Sequence, residues 1–577
     1  MIDKIDLSIV LAYLALMIFI GFWMRKRASN RIESYFLGGR KIPWWILALS
    51  GGVSNFDITG TMWIVSLFYL MGIKAMWVHW MWGVYALPAI CMAFMGKWVR
   101  RARVITQAEW IKKRYGEDRW GEMARLVAAV MVILTLIFTV SYLAQGIGKF
   151  FSVFLPWSAN VCALVIIGVV LIYVVLGGFY SVAITDLIQT GLLWTVCAYL
   201  VVFCLSSGNL GLIEATASPG WLSFKPQWEV SYLAETPYYL FGFMVIAWVA
   251  KGLGSGAGGP VDYTFQRYSA AKNPRDASKM GAFWAVSLIP RWMMTAAIAM
   301  LPIIGVIEIM DAEKILPVAL EQCLPVGVTG LALAGFMAAS MSTLDSVINA
   351  SSSYAVRDIY QKFINPKASQ RKLLTASYLS SILVVCAALL INLKVTSIAQ
   401  IWNWINLGWG AGIIAPSILG WYWWRFNAKG YIFGAIGGAT AAVLQTLLFP
   451  GAPIYLSFPI ITGAGFFIAI LISFISKPVD SSVLARFYKS IRPGGFWRLV
   501  KDSVKEESDP LRKENSFGRD VGNACLAMGW ISCMYLAPVY FIFQQIEKGC
   551  FFSGAVALLT IVLYFTWYKR LPKKEEV

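Results

Sequence analysis

Apolar runs near 20 residues recur along the whole chain, and short polar stretches separate them. Within a run, apolar and polar positions do not alternate, so the pattern predicts membrane-spanning helices and not the strands of a closed barrel. About fifteen spans can be placed, starting near Asp6, Pro43, Ala75, Met123, Ala159, Tyr180, Pro237, Gly281, Val326, Leu373, Ile398, Tyr431, Tyr455, Gly522 and Phe551. The first run, Leu7 to Met24, ends in Arg25, Lys26 and Arg27 with no small-residue cleavage site, and reads as a retained span. Composition agrees: 59% of residues are hydrophobic and 14% charged, against about 25% charged in soluble domains. The nine cysteines lie mostly inside apolar runs without metal or redox spacing, and read as packing residues.

The net charge of +19 would suit nucleic acid, but its distribution speaks for topology. Arg25, Lys26, Arg27, Arg31, Arg40 and Lys41 follow the first span; Lys97, Arg100, Arg101, Arg103, Lys112, Lys113 and Arg114 follow the third. The connection Ser207 to Thr236 instead sets Lys225 against Glu214, Glu229 and Glu235. Basic loops face the cytoplasm, which puts the N-terminus outside and the C-terminus inside an inner or plasma membrane. Lys477 to Asp520 reads as a polar cytoplasmic loop, with an amphipathic helix expected around Phe496 to Val504, and the last two spans as an appendage.

Non-helical backbone and charge are costly within a bilayer, so they mark a transport path. Ser50 to Gly60 sets glycines and small polar residues around Asp57 in span two, where a broken helix would free carbonyls for a cation. Gly335 to Asn349 in span nine carries Ser342, Thr343, Asp345, Ser346 and Asn349, hard oxygen donors suited to a small hard cation or, without the aspartate, to close helix packing. Gly177 to Gln189 holds Asp186, a ligand or a solvated helix cap. Lys251 to Pro260 in span seven is so rich in glycine that a regular helix is not expected there. Interruptions five spans apart fit an inverted repeat meeting at a midplane site.

Glu33 to Arg40, Asp57 to Gly60, Gly177 to Gln189, Gln266 to Lys272 and Met341 to Ser346 together resemble the sodium:solute symporter family, over roughly residues 1 to 475. The resemblance implies an all-α polytopic, leucine-transporter-like fold with an inverted five-plus-five repeat. The expected division is 1–42 for the extra first span and its loop, 43–235 and 236–427 for the two repeats, 428–476 for two added spans, 477–520 for the loop and 521–577 for the last two spans. It also implies a principal sodium site from main-chain oxygens of Asn55, Ile58 and Ala339 with the hydroxyls of Ser342 and Thr343; Asn55 stands where the family usually has alanine. A second site would lie near Asp186, Asp345 and Asn349, two carboxylates that stay charged together only around a cation.

For substrate the indications are positional: Asp57, Thr59, His79, Lys251 and Asn406. The resemblance implies that His79 stands where the sugar carriers have a sugar-contacting glutamate. Lys251 and Arg291 are the embedded cations best placed to face the centre; each pairs with a carboxylate such as Asp57, reaches an interface, or meets an anionic substrate. The expected activity is sodium-coupled symport of a sugar, sugar acid or related organic acid, with amino acid or carboxylate uptake as the alternative. A solute sensor on a transporter fold is the alternative of another class, and an enzyme is not expected with a single histidine. Sodium, a small solute and membrane lipid are the expected partners, and nucleic acid is not.

Overall fold

The computed structural model describes residues 2–28, 32–394, 405, 412–449, 451–504 and 517–571, and they are overwhelmingly helical. Among them, twelve helices are long and apolar enough to cross a membrane, and two shorter ones, Trp44–Val53 and Gly412–Tyr422, fall in spans two and eleven. Each expected span start lies in a helix or within four residues of the start of one, except that of span eleven, which lies outside the described residues.

Spans five and six form one helical run, Ala159–Ser206, interrupted only at Gly178 (φ 52°, ψ −150°). Three contacts with span one show that the chain reverses there. A Cβ on Gly177 would meet Met24 at 3.3 Å, a Cβ on Gly21 would meet Tyr173 at 2.6 Å, and Gln189 Nε2 donates to Tyr13 Oη at 2.9 Å. The first limb therefore runs along span one toward Met24, and the second runs back toward Tyr13. Only glycine takes that backbone freely, and a Cβ on Gly178 would also strike the Tyr35 carbonyl oxygen at 2.7 Å.

Span nine, Val328–Tyr354, is the hub: 94% of its apolar window is buried, against 11% for the last span. Its start is held by Asp6, whose carboxylate accepts from the backbone N–H of Gly327 at 2.6 Å and Gly330 at 2.7 Å. Outer spans present Leu447, Ile475 and Phe551 as exposed apolar surface, as expected against lipid.

Two expectations need correction, and one span departs from a plain helix. Span seven does not unwind over its glycines: Phe241–Gly258 is one regular helix, and the break falls later, at Gly259 to Val261, before Asp262–Ala270. The glycines serve close packing, since a Cβ on Gly252 would lie 2.1 Å from the Trp80 carbonyl oxygen, and that contact outweighs a propensity loss of about 1 kcal/mol per residue. Span three is itself irregular, running through Gly72–Trp77, Val78–Met81, Ala86–Ile90, a π-helical turn Cys91–Met95 and Gly96–Ala102. Span fourteen, Phe517–Ile542, is not a loose appendage: Tyr535 Oη donates to the Ala285 carbonyl at 2.8 Å and its ring packs on Trp292 and Tyr85.

The loop after span thirteen folds into Ser481–Ile491 and Arg498–Ser503. It docks through Arg114, whose guanidinium stacks on Phe487 and Trp497 and donates to the carbonyls of Gly420, Trp423, Trp424 and Phe426.

Candidate functional site

Span two breaks between Trp44–Val53 and Ile58–Met71. Asp57 caps the second half, its carboxylate accepting from the Gly60 N–H at 2.5 Å. Span nine lays its hydroxyl-bearing turn against this gap. Thr343 Oγ1 lies 2.8 Å from the Ser54 carbonyl and 3.3 Å from that of Ala339, Ser340 Oγ accepts from the Ile58 N–H at 3.3 Å, and Ser342 Oγ donates to Asp186. The carbonyls of the expected sodium set have partners here, and each keeps a second lone pair for an ion. Asn55 O accepts from Arg291 Nη1, and Ile58, as the first residue of its helix, commits its carbonyl to the helical ladder.

Asp186 is fully buried and is not a solvated cap. It accepts from Ser50 Oγ and Ser342 Oγ and pairs with Arg267 Nη2 at 3.4 Å. The same guanidinium nitrogen donates to Ser54 Oγ and Ser346 Oγ, both at 2.6 Å, while Nε reaches Ser50 Oγ at 3.0 Å. Asp345, also fully buried, accepts from Tyr173 Oη at 2.8 Å and Ser346 Oγ at 3.1 Å. Asn349 Oδ1 accepts from Gln266 Nε2 at 2.8 Å. Spans two, five, six, seven and nine thus converge on two carboxylates, one guanidinium and a ring of hydroxyls.

Beside this cluster lies a cavity of about 360 Å³, lined among others by Asn55, Asp57, Tyr142, Lys251, Arg291 and Thr343. Asp57 faces Arg291 Nη2 at 3.9 Å and Tyr142 Oη at 3.4 Å. Two of the expected substrate residues do not line it. Thr59 packs against span four, where a Cβ on Gly146 would lie 1.6 Å from its hydroxyl oxygen. His79 is fully buried, its Nδ1 3.0 Å from the Met76 carbonyl and its ring edge-on to Trp292 at 3.9 Å, so it supports a lining residue without being one. Asn406 lies outside the described residues.

Sequence reasoning missed Arg267, Tyr173 and Tyr142 as members of the site. Arg267 stands in a stretch with Gln266 and Lys272 that has the polarity of a loop; the available signal was its place just past the break of span seven. The two tyrosines sit in apolar runs with nothing local to distinguish them.

A family model for the sodium:solute symporter family matches residues 35–438. The sodium/glucose cotransporter of Vibrio parahaemolyticus is 26% identical over 478 residues, covering 76% of this chain and 84% of the relative. A high-affinity proline transporter of Bacillus subtilis is 26% identical over 451 residues, covering 74% and 89%. Among solved structures, a substrate-bound, outward-open sodium-coupled sialic acid symporter superposes with a TM-score of 0.70 at 18% identity, over 83% of this chain and 99% of that one. A nucleobase-cation-symport transporter gives 0.51 at 11% identity, over 80% and 99%. These two support the fold.

Proposed function

Since the chain belongs to the sodium:solute symporter family, with sodium as the co-transported ion, we propose that its solute is a sugar, a sugar acid or a related organic acid, carried by alternating access. The observation that carries this reading is the cavity lined by Asn55, Asp57, Lys251, Arg291 and Thr343 at the break of span two, against the hydroxyls of span nine. In this reading the main-chain oxygens of Asn55, Ile58 and Ala339 and the hydroxyls of Ser342 and Thr343 hold the principal sodium, while Asp186 and Asp345 supply a second site. Their two negative charges face the single guanidinium of Arg267, leaving one charge for a cation to balance. An inside-negative membrane potential contributes about 2.3 kcal/mol per 100 mV for each sodium entering with a neutral solute.

In this reading the bundle built from the two repeats at 43–235 and 236–427 rocks about this site, with the N-terminus outside and the C-terminus in the cytoplasm. Amino acid uptake is the second reading, favoured by the proline transporter, which is as similar as the glucose carrier. The test is sodium-gradient-driven uptake in proteoliposomes against a panel of sugars, sugar acids, amino acids and carboxylates. Flux that ignores the sodium gradient would sink the reading, and ligand binding without flux would point to a sensor.

A further inference from the structure

Arg291 is an unusual occupant of the cavity wall. Its side chain is 1% exposed, yet only one edge of the guanidinium is satisfied: Nη1 donates to the Asn55 carbonyl, while Nε and Nη2 have no hydrogen-bond partner. The rings of Phe56, Trp82 and Trp292 hold the guanidinium in place at 5.1, 5.4 and 5.1 Å. Asp57 stands too far off to fill the open edge. Its Oδ2 is 3.9 Å from Nη2, and its Oδ1 is committed to the Gly60 N–H and to Tyr142. Unsatisfied buried donors on a charged group are costly, and the Nε/Nη2 edge is the fork that accepts a carboxylate bidentately. A hydroxyl alone would satisfy one of the two donors and none of the charge.

We propose that the transported solute carries a carboxylate, and that Arg291 binds it through Nε and Nη2 with Asp57 as a loose internal counter-ion displaced on binding. This rests on the transport reading and narrows it: neutral hexoses fall outside, while sugar acids and amino acids both fit.

The test uses the full chain in proteoliposomes and two matched pairs, D-glucuronate with D-glucose and L-proline with L-prolinamide. In at least one pair the acid should enter ten times faster than its neutral-headed partner under a sodium gradient. Arg291→Gln should abolish that preference, and Arg291→Lys should restore only part of it, because lysine keeps the charge and loses the fork. Asp57→Asn, which preserves the helix cap, should tighten apparent affinity for the acid several-fold by removing its competitor.

Equal uptake of both members in each pair, or a preference that survives Arg291→Gln, overturns the proposal. Should Arg291→Gln fail to elute as a monodisperse protein, Asp57→Asn decides, and unchanged or weaker acid affinity overturns it. Sodium-dependent binding of an acid by purified protein without flux defeats the transport reading and leaves the carboxylate assignment intact. Flux of the neutral members alone does the opposite, and neither flux nor binding defeats both.

Discussion

At the residue scale, the hydroxyls of span nine and the guanidinium of Arg267 do different work. Ser342 and Thr343 face the break of span two and can exchange their present partners for an ion. Ser342→Ala with Thr343→Ala should raise the sodium concentration for half-maximal uptake at least tenfold, about 1.4 kcal/mol, with a smaller loss of thermal stability than Arg267→Gln because Asp186 keeps its guanidinium. Arg267→Gln should instead strip Asp186 of its paired charge, at a cost of about 3–5 kcal/mol. That loss is read as a lower unfolding temperature in detergent, partly recovered by adding Asp186→Asn. For Asp345→Ala, unchanged sodium stoichiometry would remove the second ion site. Serines, threonines and aspartates were legible because they contradict the apolar run around them. Arg267 was not, because its burial comes from spans two, six and nine folding over it.

Among elements, the two broken spans show what a sequence can and cannot announce. In span two, small polar residues and a capping aspartate coincide with the gap, so local chemistry and structure agree. In span seven the glycines meet a neighbouring backbone, and tertiary contact overrides propensity. Gly252→Val should therefore destabilise by about 1–3 kcal/mol through overpacking. Gly168→Ala, where an added Cβ meets nothing within 4 Å, should be neutral or stabilising by about 1 kcal/mol. Comparing the two variants by thermal unfolding separates packing from propensity.

For the whole molecule, hydropathy was sufficient for the order of the spans, about fifteen expected against twelve long apolar helices and two short ones among the described residues. The irregular third span and the docked loop depended on contacts between distant segments. Orientation is the corresponding prediction: in a background lacking exposed cysteines, Lys225→Cys should react with an impermeant maleimide on intact cells, and Ser482→Cys only after permeabilisation. The reverse pattern would invert the topology.

The glycine reversal at Gly178 joins Tyr173 on one limb to Asp186 on the other, and both side chains grip span nine, at Asp345 and Ser342. Such a hairpin has no slack, so its limbs behave as the jaws of one clamp. Any swing that loosens the hold on Ser342 must strain the hold on Asp345 as well. If the two carboxylates hold sodium as proposed, they would exchange partners in a single stroke, and the turn would help decide whether the ions leave together or one after the other.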